Sequence, residues 1–288
     1  MEAKSFVIGR FEGNVSVDRK AVIFGKSVVS RKETLEYLSE KYKWQNVVIG
    51  ISAFYGFWAW MVARLTGRKC IYYCIDFYSP KIADGFFDRI FILLAHRLDQ
   101  FLNKVVDQVW DISDRILGGR IEFGGYTGQV SKIIPLSYPP SYFKFKDGIK
   151  NRVAYVGLTP YGHELIPPHI DFVWLRNLPL EELLNQLCCC GIGLSMWGRE
   201  GNNYYGDPGK TKLYSACGLP VIMTENTPYA KVIEETKAGL VIAYDSRSLQ
   251  IAIRRILINY DFYKQNVKKT WEYINADTVS RDIQILDY

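Results

Sequence analysis

The sequence has few of the residues that build metal sites and disulfides. It contains three His and six Cys among 288 residues. No two Cys show C-x-x-C spacing, and Cys188, Cys189 and Cys190 are adjacent, so these three cannot all form useful disulfides. The His residues show no ligand spacing with the Cys residues, which argues against a zinc site. The sequence therefore predicts no metal site and reduced, buried cysteines, as in a cytosolic protein.

The sequence also has no apolar run long enough to be a clear membrane span. The one candidate, Val47–Ala63, has seventeen uncharged residues, whereas a span needs roughly 20 apolar ones. Gly50, Ser52 and Gly56 interrupt it. The run is therefore predicted as a buried strand, Val47–Ile51, followed by a turn and an aromatic-rich helix. The first residues do not have the pattern of a secretory signal peptide.

Composition and charge narrow the class of protein further. The chain is 48% hydrophobic and 23% charged, which excludes disordered and fibrous classes, and its length suits two modest domains or one large one. Residues 1–150 contain 22 Lys and Arg against 15 Asp and Glu, a balance of +7, while residues 151–288 contain 14 against 15, a balance of −1. The basic half is predicted to face an acidic partner or a membrane surface. The excess is too small for a nucleic-acid-binding domain.

Strand-like and helix-like segments alternate along the first half of the chain. Short apolar runs predict strands at Val22–Phe24, Val47–Ile51, Cys70–Ile75 and Gln108–Ile112. Helical periodicity predicts helices at Arg31–Tyr42, Tyr55–Leu65 and Gly85–Val106. The following segment, Gly118–Lys150, is rich in turn residues and is predicted to be a linker.

The second half repeats the alternation. Strands are predicted at Arg152–Val156, Ile170–Leu175, Gly191–Met196, Pro220–Thr224 and Leu240–Ala243. Helices are predicted at Leu180–Leu187, Lys210–Cys217, Tyr229–Lys237 and Ser246–Leu257, with a helical tail after them. The pattern predicts an α/β protein of two Rossmann-like domains, residues 1–150 and 151–288, facing across a cleft, with ligands at the carboxyl ends of the strands. The tail is expected to pack back on the first domain.

One segment has the chemistry of a phosphate site. Pro208-Gly209-Lys210-Thr211 opens a helix after a glycine-rich loop. The free N–H groups of a helix's first turn attract anions, Gly209 lets an anion approach the backbone, and Lys210 adds a positive charge. The segment is not a Walker A loop, because Tyr204 stands where that motif has its first glycine. It predicts a diphosphate site, and the alternative is an ordinary loop capped by Asp207.

The same segment resembles the donor-binding motif of the GT-B glycosyltransferases, especially those of the family 4 type. That motif is roughly Pro-x-Lys-x-x-Glu-Tyr-x-Ala-x-Gly-x-Pro-Val-Ile. The matching residues are Pro208, Lys210, Tyr214, Ala216, Gly218, Pro220, Val221 and Ile222. Looser similarity extends over Val153–Gly157, Leu175–Leu183, Lys231–Tyr244, Tyr72–Asp76 and Asp107–Ser113. The resemblance implies the GT-B fold and transfer of a sugar from a UDP- or GDP-linked donor, with no cofactor.

The chain departs from the family pattern at two places. Many retaining members have two Glu residues across the motif, where this chain has Tyr205 and Leu213. The Arg and Lys that grip the diphosphate in the family are absent from Val156–His163. These departures leave Lys210, the helix start and Arg199 to bind the diphosphate, and neighbours such as Tyr205 to contact the ribose.

The predicted site combines this segment with residues that follow the strands, because ligands bind at that edge of such sheets. The predicted donor-binding residues are Gly157, Thr159, Arg176, Asn177, Ser195, Arg199, Tyr205, Asp207, Gly209, Lys210 and Thr211. In the first half, Asp76 ends a strand before a turn and is predicted to orient the acceptor or act as general base. The alternatives are a turn cap for Asp76 and solvated loop positions for Arg176, Asn177 and Ser195.

The sequence therefore predicts a metal-independent glycosyltransferase of the hexosyltransferase type. Its expected acceptor is a glycan or lipid-linked glycan of the cell surface, met in the cytoplasm or at the inner membrane face, where basic residues favour anionic lipid. One alternative is a catalytically silent GT-B-like subunit, which Leu213 in place of Glu and the absence of the diphosphate-binding Arg and Lys favour. Another is a nucleotide-sugar epimerase, which would need several carboxylates and a His converging in the cleft.

Overall fold

The computed structural model describes residues 22–24, 29–41, 44, 46–82, 85–125, 128, 131–157, 163–197 and 204–279. These residues form two α/β units, the first ending at Pro135 and the second comprising Leu136–Val279. The division falls inside the segment predicted to be a linker. No helix in the described ranges is long and apolar enough to cross a membrane.

The first unit is a parallel sheet of five strands connected by helices. Its strands are β1 (Val22–Phe24), β2 (Val47–Ile51), β3 (Lys69–Cys74), β4 (Gln108–Asp111) and β5 (Lys132–Ile133). Its helices are α1 (Val29–Lys41), α2 (Ala53–Thr66), α3 (Phe86–Val105) and α4 (Asp114–Glu122). Each strand pairs with the next one in sequence, so the order β1-β2-β3-β4-β5 contains no reversal. The strands and helices predicted before Gly118 are confirmed.

The uncharged run from Val47 to Ala63 forms part of the core. All five residues of β2 are buried, because the strand pairs with both β1 and β3 and α2 packs against it. The glycines permit this packing, since a Cβ on Gly50 would lie 2.5 Å from the Cα of Gly56. The run is thus a strand and a helix of the sheet, as predicted.

The prediction of a linker from Gly118 onward was wrong for its first part. Helix α4 continues through Gly118 and Gly119 to Glu122, and β5 follows. The helix persists because Arg120, which is 2% exposed, donates hydrogen bonds to Asp99 (2.9 Å) and Asp111 (2.7 Å). A tertiary ion-pair network therefore outweighs the low helix propensity of the two glycines.

The second unit is also a parallel sheet of five strands. Its strands are β6 (Ile149–Val156), β7 (Asp171–Leu175), β8 (Cys190–Ser195), β9 (Val221–Thr224) and β10 (Gly239–Ile242). Its helices are α5 (Leu180–Cys188), α6 (Gly209–Ala216), α7 (Tyr229–Thr236), α8 (Ser246–Ile258), α9 (Tyr260–Val267), α10 (Trp271–Ile274) and α11 (Ala276–Val279). The strand order is β10-β9-β8-β6-β7, so the direction of winding reverses between β6 and β8. The predicted Rossmann-like architecture is confirmed for both units.

The core of the second unit lies between its sheet and α8. The Asp245 carboxylate caps this helix by accepting the Ser248 N–H at 2.8 Å. The helix buries Leu249, Ile253 and Ile256 in one cluster with residues of β6, β8 and β9. The packing holds the central strands of the sheet in place.

The predicted helical tail packs on the second unit as far as Val279. The indole Nε1 of Trp271 donates to the Ser215 carbonyl at 3.0 Å, and Tyr138 and Asn275 form a parallel β-bridge. The tail was expected to pack back on the first domain. Residues 280–288 lie outside the described residues, so that expectation stays a prediction for them.

The cysteines are free thiols. Five are buried as predicted, but the prediction was wrong for Cys189, which is exposed at the end of α5. Its thiol donates to the Asn185 carbonyl one helical turn earlier, so it lies along the helix surface. In the described part of the chain, no three His, Cys, Asp or Glu side chains are grouped so that they could hold a metal ion.

Candidate functional site

The reversal of strand order between β6 and β8 places a candidate site in the second unit. In open α/β sheets, the carboxyl ends of the two strands at such a reversal flank the usual ligand-binding crevice. Strand β6 ends at Val156 and β8 ends at Ser195. Helix α6, which begins with Gly209 and Lys210, packs against β8. The predicted phosphate-binding segment therefore belongs to the switch point of this sheet.

Tyr214 on α6 joins the two strands at this point. Its hydroxyl accepts the Val156 N–H at 2.7 Å and donates to the Leu194 carbonyl at 3.1 Å. Its ring lies over Gly193, where a Cβ would approach the Tyr214 Cγ to 2.3 Å. Burial raises the pKa of Tyr214, so the hydroxyl stays protonated and keeps donating. This contact fixes α6 relative to the carboxyl ends of β6 and β8.

Lys210 lies between two aromatic rings at the same place. Its Nζ donates to the Tyr155 hydroxyl at 2.6 Å and lies 4.0 Å from the centroid of that ring and 3.7 Å from the Trp197 ring centroid. Burial lowers the pKa of Lys210 to about 7. No carboxylate of the described residues offsets this charge. A half-buried cation with no carboxylate partner in the described part of the chain is costly, so the arrangement favours binding of an anion.

Hydrogen bonds hold the Trp197 ring in its orientation. The Trp197 N–H donates to Thr224 Oγ1 at 3.0 Å, and the same hydroxyl donates to the Trp197 carbonyl at 2.9 Å. The indole Nε1 donates to Ser195 Oγ at 3.0 Å, which also accepts the Thr211 hydroxyl at 2.7 Å. Residues of β8, β9 and α6 thus together hold the Trp197 ring beside Lys210.

The start of α6 adds a second source of positive potential beside Lys210. The backbone N–H groups of Gly209, Lys210 and Thr211 precede the first intrahelical donor, Lys212, which bonds to the Pro208 carbonyl at 3.2 Å. Pro208 offers no side-chain cap. The positive end of the helix dipole and the Lys210 ammonium therefore lie at the same end of α6.

Asp207 and Lys212 form an ion pair in the interior. Lys212 Nζ donates to the Asp207 carboxylate and also to the Leu136 carbonyl, at 2.8 Å in the second case. Asp207 in turn accepts the Leu136 N–H at 2.7 Å. Because Asp207 neutralises Lys212, Lys210 is the lysine of α6 with no ion pair among the described residues. Donor binding by Asp207 stays a prediction, and the structure gives its carboxylate internal partners.

Three other predicted residues lie at the carboxyl edge of β6 and β7. Gly157 has φ of 144°, a backbone conformation that favours glycine, and its carbonyl accepts the Trp174 Nε1–H at 2.7 Å. The Arg176 guanidinium lies 4.4 Å from the Trp174 ring centroid. Asn177 is exposed with φ of 53°. Thr159 and Arg199, also predicted, lie outside the described residues.

Several predicted residues are buried next to Lys210. Ser195 and Thr211 are fully buried and bond to each other, so they contact Trp197 and α6. Tyr205 is 6% exposed, with its ring 5.1 Å from that of Tyr204. Leu213, which stands where the family motif has Glu, is also buried. Direct contact of Ser195, Thr211 and Tyr205 with a donor stays a prediction.

Tyr155 and Trp197, the two aromatic residues on either side of Lys210, were not predicted as part of the site. Each is an aromatic residue at the carboxyl end of a strand beside the switch point, and that position was the available signal. The pairing of both rings with Lys210 depends on β6 and β8 being neighbours, which the order of elements in the sequence does not state.

Asp76 lies at the carboxyl edge of the first sheet. It follows β3, and its carboxylate accepts the hydroxyl of Ser52, which follows the neighbouring strand β2, at 3.0 Å. Ser52 has φ of 66°, a rare conformation for a residue with a side chain. Asp76 itself is exposed. The acceptor role of this carboxylate stays a prediction.

Comparison with known proteins gives matches in structure alone. No protein-family model matches the chain, and neither does any curated protein sequence. The structure is similar to that of Anabaena HepE in complex with UDP-glucose, with a TM-score of 0.65, 12% identity and coverage of 87% of this chain and 80% of HepE. Sucrose-phosphate synthase from Thermosynechococcus elongatus has a TM-score of 0.61, 13% identity and coverage of 86% and 74%.

A third similar structure is WaaG, a glycosyltransferase involved in lipopolysaccharide biosynthesis. Its TM-score is 0.58 at 13% identity, with coverage of 89% of this chain and 82% of WaaG. The likeness therefore extends over both units in each of the three comparisons. Two Rossmann-like units, a switch point at the start of α6 and these matches lead to one conclusion: the chain has the fold of the GT-B glycosyltransferases.

Proposed function

We propose that the protein is a glycosyltransferase that binds the diphosphate of a nucleotide-sugar at Lys210 and the start of α6. The observation that supports this most strongly is the Lys210 ammonium, half-buried between Tyr155 and Trp197 without a carboxylate partner among the described residues. Negative charge develops on the leaving nucleoside diphosphate during transfer. A fixed cation and a helix N-terminus stabilise that charge without any metal ion.

The nucleoside of the donor is proposed to bind along the edge formed by β6 and β7. Gly157 allows a ligand to approach the backbone closely, and Arg176 and Asn177 offer hydrogen-bond donors there. UDP is the first nucleotide to test, because HepE has been crystallised with UDP and with UDP-glucose. A GDP-linked donor is the second.

The proposed acceptor is a glycan or lipid-linked glycan of the cell surface, with Asp76 as its orienting group or general base. The Asp76 carboxylate is exposed at the edge of the first sheet and accepts the Ser52 hydroxyl, which supports this role toward an acceptor hydroxyl. An acceptor on a lipid carrier would be met in the cytoplasm at the inner membrane face. The excess of basic residues in 1–150 suits contact with anionic lipid there.

We expect Asp76→Asn to reduce kcat by about 10²- to 10⁴-fold while leaving the affinity for the sugar nucleotide unchanged. The amide keeps the shape of the side chain but cannot accept a proton. Release of the nucleoside diphosphate measures turnover, and calorimetry measures donor binding. Glu40→Gln, at an exposed carboxylate of α1, is the matched control and should keep wild-type turnover. Wild-type turnover in Asp76→Asn would exclude Asp76 as the base.

Sugar-nucleotide binding should weaken as pH rises through 7. The diphosphate binds the charged form of Lys210, whose pKa burial lowers to about 7, so about a tenfold loss of affinity is expected between pH 6 and pH 8. UDP-glucose is the suitable probe, because its diphosphate does not titrate in this range. Thermal shift against a panel of UDP- and GDP-sugars, read at both pH values, tests the donor site and its base preference.

The stability of the ligand-free protein should instead rise with pH, so the pH dependence of binding can be distinguished from that of stability. Unfolded Lys210 has an ordinary pKa, so between about pH 7 and pH 10 the unfolded chain binds more protons than the folded one. This group therefore makes the ligand-free protein more stable as pH rises through 7. A ligand-induced shift that is equal at both pH values, or absent for every nucleotide, would contradict the donor site at Lys210.

The second candidate function is a silent subunit that binds a sugar nucleotide without transferring the sugar. Leu213 favours it, since this buried apolar residue cannot replace the Glu that contacts ribose in the family motif. A silent subunit would bind UDP-glucose and depend on Lys210 yet release no UDP with any acceptor or with water. Measured turnover of the wild-type protein decides between the two functions.

A further inference from the structure

Helices α2 and α3 of the first unit expose an unusual concentration of large apolar side chains. Phe87 is 83% exposed and Phe86 is 71% exposed, and the rings of Phe54 and Phe91 stack at 5.2 Å across the two helices. The exposed apolar residues, called the α2–α3 surface here, are Phe54, Trp58, Phe86, Phe87, Ile90, Phe91, Leu93 and Leu94. Such a contiguous group differs from the scattered apolar residues of an ordinary protein surface and marks an interaction site.

The α2–α3 surface is separate from the side of α3 that packs on the sheet. At 3.6 residues per turn, Phe86, Phe87 and the other apolar residues of α3 cover about 160° of its circumference. The buried residues Ile92, Ala95 and Asp99 lie on the opposite side, and buried Leu102 lies at the edge between the two sides. Helix α3 therefore has one apolar face for the core of its own unit and a second apolar face that is exposed.

The charges on the exposed face of α3 are basic. In the turns after Leu94, Arg97 and Lys104 continue the same face and are both exposed. The two acidic residues of the helix, Asp88 and Asp99, lie on the other side, and Asp99 is buried in an ion pair with Arg120. An apolar patch followed by cations, with no carboxylate from α3 between them, matches a bilayer whose headgroups are anionic.

The position of the α2–α3 surface relates it to the acceptor side of the first unit. Helix α2 begins directly after β2, and α3 begins after the loop that follows β3 and contains Asp76. The amino-terminal ends of both helices, where Phe54, Phe86 and Phe87 lie, are therefore at the carboxyl edge of the sheet. A lipid-linked acceptor would have its headgroup at this edge when its chains are in a membrane.

We propose that the α2–α3 surface docks the protein on an anionic lipid bilayer, with the apolar side chains in the interface and Arg97 and Lys104 on the headgroups. Trp58, at the margin of the surface, suits the interfacial region that Trp prefers. The proposal rests on the proposed function only where it assigns the acceptor to a lipid carrier. The docking itself needs neither donor nor turnover.

Sedimentation of the full chain with vesicles tests the proposal. The protein should sediment with phosphatidylglycerol–phosphatidylcholine vesicles and much less with phosphatidylcholine alone. The variant F86S/F87S/I90S should lose about tenfold or more of this binding. In R97Q/K104Q, binding should fall about fivefold for each charge removed, and added salt should weaken wild-type binding. The control I251S/I258S, at exposed apolar positions of α8, should bind as the wild type does.

Three outcomes would overturn the docking proposal. Wild-type protein that does not sediment with anionic vesicles is one, and sedimentation of F86S/F87S/I90S at the wild-type level is another. The third is a wild-type dimer that becomes monomeric in F86S/F87S/I90S with no vesicle binding by either, which would assign the surface to a second copy of the chain. UDP-glucose thermal shifts in the same variants show that they are folded and report on the donor site separately.

Discussion

Lys210→Met should abolish the thermal stabilisation by UDP-glucose and weaken its binding by about 30- to 1,000-fold, or about 2–4 kcal/mol. The cation lies half-buried between Tyr155 and Trp197, and methionine keeps an apolar side chain between the two rings while removing the charge. Without the charge, the diphosphate would meet only the N–H groups at the start of α6. Calorimetry with UDP-glucose at pH 6, where Lys210 is protonated, gives the largest expected difference.

The stability of the ligand-free variant distinguishes lost binding from lost folding. Removing a partly desolvated charge that has no ion pair among the described residues relieves a desolvation cost, so the melting temperature of ligand-free Lys210→Met should equal or exceed that of the wild type. Lys231→Met on α7, where the side chain is 80% exposed, is the matched control and should change neither binding nor stability. If Lys210→Met bound UDP-glucose with wild-type affinity, the diphosphate would not bind at α6 and the proposed donor site would be contradicted.

Arg120→Met should destabilise the first unit by about 3–5 kcal/mol. Arg120 is 2% exposed and bonds to Asp99 and Asp111, while the Tyr72 hydroxyl donates to Asp99 at 2.9 Å. The substitution leaves two carboxylates in the interior without their cation. Burial already raises the pKa of Asp111, so the variant should be less destabilised at low pH, where the carboxylates take up protons.

Hydrogen exchange measured by mass spectrometry resolves the effect within one chain. Peptides from β3 and β4 should exchange faster in Arg120→Met, while peptides from β8 and β9 provide the internal reference. Arg152→Met breaks a pair with Asp171 whose two side chains are 30% and 40% exposed, so it should change exchange much less than Arg120→Met does. If the opening free energy of the β3 and β4 amides fell by less than about 1 kcal/mol in Arg120→Met, the Asp99–Arg120–Asp111 network would contribute little to the stability of the first unit.

The alternation of elements could be predicted because it is a local property of the chain. Strands such as β2 are buried on both faces and therefore have continuous apolar runs, which differ from the helical periodicity of α3. The linker prediction failed at Gly118 and Gly119 because a long-range ion pair at Arg120 holds α4 together. No local pattern contains the information that Asp99 lies beside that residue.

The candidate site also has one part that the local sequence predicts and another that depends on tertiary contacts. The start of α6 and the charge of Lys210 are visible in Pro208-Gly209-Lys210-Thr211, since helix starts and cations are properties of adjacent residues. The burial of that charge is not, because Tyr155 and Trp197 reach it from two strands that are neighbours only through the reversal of strand order. Helical periodicity likewise predicts α3, but only its packing on the sheet decides which of its apolar residues stay exposed.

Local sequence pattern alone thus establishes the two α/β halves, the helix start with its lysine, and the basic character of the first half. These follow from periodicity, capping and charge, which act between residues a few positions apart. The tertiary structure decided which lysine of α6 has no ion pair among the described residues, which aromatic rings lie beside it, and which face of α3 is left exposed. Each of these features depends on contacts between residues far apart in the sequence, and such contacts form only when the sheet folds.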